Sequence, residues 1–84
     1  MPRPHVYEII DGERKYQAAK HPTHEESKPL TVGEELLLIQ RYTTKAIEAW
    51  ADNHGDYNAM DNIRKIAGIA VRAMEHHPTP ERAS

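Results

Sequence analysis

Cysteine is absent from the 84 residues, which excludes disulfide staples and thiolate zinc sites. Net charge is nearly absent too. Eleven Lys and Arg against thirteen Asp and Glu leave −2 at pH 7 with histidine neutral. That balance argues against broad nucleic-acid binding, although a local basic patch stays open. The opening MPRPHVYEII lacks an apolar run long enough for a signal peptide or a membrane span. The expectation is therefore a soluble, cytoplasmic protein with no membrane partner. No glycine-rich phosphate loop, nucleophile elbow or Ser-His-Asp arrangement is visible. So short a chain makes one small domain, residues 1–84, with a core near the lower limit for independent folding. Without disulfides, association of identical copies is the expected supplement, ahead of a histidine-ligated metal.

What is present reads as an all-α chain: a short N-terminal helix, then a long antiparallel hairpin, assembled into a homo-oligomeric bundle. Residues 1–4 carry two prolines and are expected to be flexible. The run HVYEIIDGERKYQAA predicts a helix over 5–19, with Val6, Ile9 and Ile10 at helical spacing and Gly12 weakening it. KHPTHEESKPL, residues 20–30, reads as a loop. Thr31-Val32-Gly33-Glu34 matches a capping box and opens a helix over 31–52. Val32, Leu36, Ile39, Thr43, Ala46, Ile47 and Trp50 fall on one stripe of it, and Trp50 is expected in the core with Tyr57 packed over it. Leu37 and Leu38 leave the stripe and are expected at an interface, covered by the first helix or by another subunit. Asn53-His54-Gly55-Asp56 breaks the pattern, with Gly55 ending one helix and Asp56 capping the next. The third helix is predicted over 57–77, and residues 78–84 are expected to be flexible.

Three clusters are candidates for chemistry. On the third helix Lys65 and Arg72, seven positions apart, flank Gly68, with Arg64 nearby. A missing side chain between cations offers an anionic ligand close approach. The competing reading is a solvated face on which Asp61 pairs with Lys65, and Arg72 with Glu75 or His76. Glu34 and Glu35, with Glu48 and Asp52, are the acidic candidates for magnesium, but they stand about three turns apart. His21 and His24 can share a metal only with a third ligand. His76 and His77 sit where a helix C-terminus favours cations.

The runs ERKYQAAKHP, TVGEELLLIQRYTTKAIEAW and GDYNAMDNIRKIAGIAVRAMEHH, with PER following, resemble a group of small phage and prophage proteins. That group shares an E-R-x-x-Q-type first helix, a V-G-E/A-x-L opening to the second, and a G-D-x-x-A-L-x-x-I-R-K-V-A-x-x-A-V motif. The likeness covers most of residues 13–82 and implies a phage-type origin in a bacterial host. More distantly the pattern is similar to the MazG-like all-α nucleotide pyrophosphohydrolases, whose E-E-x-x-E and E-x-x-D motifs hold magnesium. Here Glu34-Glu35 would open the first motif, but Leu38 stands in place of its third acid. Arg64 follows Asp61 where the second motif needs another acid.

The expectation is a non-enzymatic phage-type accessory protein, of the size of counter-defence proteins that sequester nucleotide signals. It would bind a phosphate-bearing small ligand through Lys65, Arg72, Arg64 and Gly68, or a host defence protein. The alternative is a MazG-like, magnesium-dependent pyrophosphohydrolase with a degenerate or oligomer-completed site at Glu34 and Glu35.

Overall fold

The computed structural model describes residues 1–52 and 55–83. Three helices, α1 (Arg3–Lys20), α2 (Val32–Asp52) and α3 (Asp56–His76), carry the fold, with one 3-10 turn (Pro22–His24) in the first connection. There is no strand among the described residues. None of the helices is long and apolar enough to cross a membrane.

Helix α1 begins earlier than the prolines suggested. Pro2 is its N-cap and accepts bonds from the amides of His5 and Val6, at 3.1 and 3.2 Å. Pro4 falls in the first turn, where its missing N–H costs nothing. Residues 3 and 4 are therefore helical, not loose, and the helix runs unbroken through Gly12.

The capping box of α2 forms as written. Glu34 accepts from the Thr31 amide at 3.0 Å, and the Glu34 amide donates to Thr31 Oγ1 at 3.1 Å. At the other end of the hairpin Gly55 caps α3 with φ 155°, a value side-chain-bearing residues rarely adopt. Asp56 is thus the first helical residue and not the cap; its charge still suits the N-terminal dipole. Asn53 and His54, read as part of the break, lie outside the described residues, as does Ser84.

Helices α2 and α3 pack as an antiparallel pair, and α1 packs on α3 with no Cα within 8 Å of α2. What they bury is mostly polar. Among apolar side chains just Ala46 and Ile69 are buried, alongside Glu13, Arg14, Gln17, Glu35 and Arg72. The apolar stripe of α2 meets α3 only along one edge, at Ala46 and the half-buried Ile39. Glu35, Tyr42 and Ala46 mark the side of α2 that meets α3, and Thr43 at the stripe's centre stands roughly 80° further round the helix. Trp50, expected in the core, is 60% exposed, and Tyr57 is 87% exposed and does not cover it.

Candidate functional site

Gly68 is the key to how α1 sits. It is buried, and a Cβ on it would come within 2.7 Å of Gln17 Nε2 and 2.9 Å of Glu13 Cγ. The gap in the charged face of α3 is thus filled by another helix of the same chain. From there Gln17 donates to the Lys65 carbonyl at 3.2 Å and to Glu13 at 3.0 Å.

The cations around Gly68 are committed to carboxylates. Arg64 Nε donates to Glu13 at 2.8 Å and its Nη2 to Asp61 at 2.7 Å. These bonds, the one to Glu13 first, hold the Arg64 guanidinium more firmly protonated. Arg72 is 3% exposed and meets Glu35, 2% exposed, through Nε at 3.0 and 3.2 Å and Nη2 at 2.9 Å. Its partner is Glu35, not Glu75 or His76. Glu75 instead pairs with Arg14 at 2.8 Å, and Arg14 also pairs with Glu25. Burial works against the charge on Arg14, yet its two carboxylates outweigh that and raise its pKa. Lys65 reaches Asp61 at 3.4 Å, the pairing expected for a solvated face.

Because α1 and α2 both lean on α3 with their backbones held apart, a cleft of about 380 Å³ opens between them. Arg72, Lys65 and Ile69 of α3 form its floor. Glu13, engaged by Arg64 and Gln17, lines one wall with Tyr16, Gln17 and Lys20, Leu38, Arg41 and Tyr42 line the other, and His21 and His24 close one end. Lys20 and Arg41 make no ion pair among the described residues. Two of the cleft's lysines come close to aromatic rings: Lys20 Nζ stands 5.7 Å from the Tyr16 ring centre and Lys65 Nζ 5.9 Å from that of Tyr42. The rings of His21 and His24 stack at 5.3 Å. Gln17 Oε1 and His24 Nδ1, both buried, have no hydrogen-bond partner.

The sequence-derived candidates separate. Lys65 and Arg72 reach the cleft, Gly68 lies beneath Gln17, and Arg64 lines a second, apolar groove between α1 and α3. Leu38 is in the cleft wall, while Leu37, 66% exposed, is not covered by α1. Glu34 is engaged by Thr31 and Glu35 by Arg72. No group of three or more metal-ligating side chains converges among the described residues. Lys20, Arg41 and Tyr16 escaped sequence reasoning. Their signal was weak but present: Tyr16 with Lys20 is an i,i+4 pair, and Leu38, Arg41 and Tyr42 form an i,i+3,i+4 set. Bringing the two sets together requires knowing that α1 docks at Gly68. Compared with family models, curated proteins and solved structures, the chain matches none.

Proposed function

We propose that this is a non-enzymatic, phage-type accessory protein of a bacterial cytoplasm that works as a homo-oligomer and binds a nucleotide-type ligand between α1 and α2. Counter-defence by sequestering such a ligand is the role that suits a protein of this kind. One observation carries the reading: Lys20 and Arg41, without carboxylate partners, face a cleft whose walls also hold Tyr16 and Tyr42. Cations attract phosphate, and a guanidinium does so with two parallel bonds. Tyrosine faces stack on a planar base. The unpartnered Gln17 Oε1 suits a hydroxyl or amine donor of the ligand. The volume lies within the range of small-molecule sites.

Titration calorimetry of the full chain with nucleoside triphosphates and cyclic nucleotides tests this. Binding of at least one is expected, weakening as salt is raised. Lys20→Ala combined with Arg41→Ala should reduce affinity at least tenfold while leaving helicity intact, since both side chains are exposed. No binding, or equal binding by the double variant, would contradict the cleft. Appearance of monophosphate and pyrophosphate in the same mixture with magnesium would replace sequestration by hydrolysis.

A further inference from the structure

The side of the hairpin away from the cleft carries the chain's apolar surface. Leu36, Ile47 and Trp50 of α2 and Met60, Ile63 and Met74 of α3 are all exposed. On α3 this stripe, centred on Ala67, stands roughly 130° from the side that meets α2. With the helices antiparallel, the handedness of both turns the two stripes toward the same face. The cleft residues Leu38, Arg41, Lys65 and Arg72 turn toward the opposite one. Beyond α3 the patch continues into an apolar groove of about 310 Å³ that Val6, Ile9 and Ile10 of α1 help to line.

We infer that this face pairs with the same face of a second copy, making a two-fold dimer whose centre is a four-helix bundle. The inference builds on the homo-oligomeric part of the proposed function and not on its ligand. The surface area argues for it. The chain exposes 6538 Å², whereas a folded monomer of 9.6 kDa exposes about 5,100 Å². The surplus over the whole chain, about 1,400 Å², is enough to contain the ~800 Å² each partner loses at a standard interface. The occupant follows from the core. With Ala46 and Ile69 as its fully buried apolar side chains and Ile10, Leu38, Ile39, Ile66 and Val71 half-buried, one chain has a thin apolar core that a partner would complete. A partner needed at all times is most directly a second copy, and such interfaces resemble a domain core cut in half. Two antiparallel ridges on each copy suit a two-fold pairing. This pairing leaves Leu37 and Leu38 outside the interface, since Leu37 lies on the side of α2 away from α3 and Leu38 lines the cleft.

Sedimentation velocity and circular dichroism of three full-length chains decide the matter. The unmodified protein should sediment at twice 9.6 kDa. Ile47→Glu, at a position 61% exposed in one chain, should give the single-chain mass or lose its helicity. A self-sufficient monomer would stay folded with a charge at so exposed a site. Leu37→Glu should keep both the dimer mass and the helicity. A helical 9.6 kDa species for the unmodified protein, an assembly larger than two, or an Ile47→Glu chain that remains dimeric would each overturn the inference. So would equal disruption by Leu37→Glu. A monomer that still binds nucleotide overturns the dimer alone, and a dimer that binds none overturns the ligand alone.

Discussion

Arg72 and Gly68 were the residues that most invited a ligand, and both serve the fold first. Glu35 is nearly inaccessible and its carboxylate is met by a single guanidinium. Arg72→Ala would leave that charge buried and unpaired, at a cost of about 3–5 kcal/mol. Urea unfolding should show the loss, and Arg72→Met combined with Glu35→Leu should recover most of it, because an apolar pair needs no charge compensation. An unchanged midpoint for Arg72→Ala would mean the pair is not buried in solution. Lys65 and Arg72 together therefore make a poor test of ligand binding, since losing the second unsettles the fold. Two glycines separate propensity from packing. Gly12→Ala meets nothing within 4 Å and should stabilise α1 by about 1 kcal/mol. Gly68→Ala gains the same propensity but pushes on Glu13 and Gln17, with an overpacking cost of about 1–3 kcal/mol. The expected sign is opposite, and thermal melts of the two variants read it directly.

Within the elements, local chemistry was legible and partner choice was not. The Thr31–Glu34 box could be read from four residues because both of its bonds close within one turn. The Thr31 amide, and then its hydroxyl, hold the Glu34 carboxyl below its ordinary value of 4.5. A carboxyl whose folded value is lowered stabilises above its unfolded value, and that contribution is lost as pH falls through the folded one. The stability gap between the unmodified protein and Glu34→Ala should therefore be full near neutrality and shrink below pH 4.5. A gap independent of pH would remove the charge from the cap. The three helices and the hairpin were equally legible, since apolar period and turn residues are written along the chain. The seat of α1 was not. Its buried residues are Glu13, Arg14 and Gln17, which carry no apolar rhythm, and what receives them is an absence, the missing side chain of Gly68. The cleft inherits that difficulty, because its two walls meet only through the docking of α1.

At the scale of the whole molecule, polar groups are inside and a broad apolar face is outside. A radius of gyration of 13.9 Å exceeds the ~12 Å of a compact chain of this length, in keeping with a unit shaped to be completed. Sequence periodicity located the apolar stripe of α2 but placed Trp50 in the core of the single chain, where it is 60% exposed. A single chain offers a stripe one helix to pack on, and period alone does not say whether that helix is in the same molecule. On the reading proposed above, the hairpin layer has two faces with separate tasks, an apolar one for a second copy and one with cations and aromatic rings for a ligand. Native mass spectrometry of the full chain with nucleoside triphosphates and cyclic nucleotides tests that division most directly. The account predicts a species of twice 9.6 kDa that retains intact nucleotide. A bare monomer at every nucleotide concentration would contradict it.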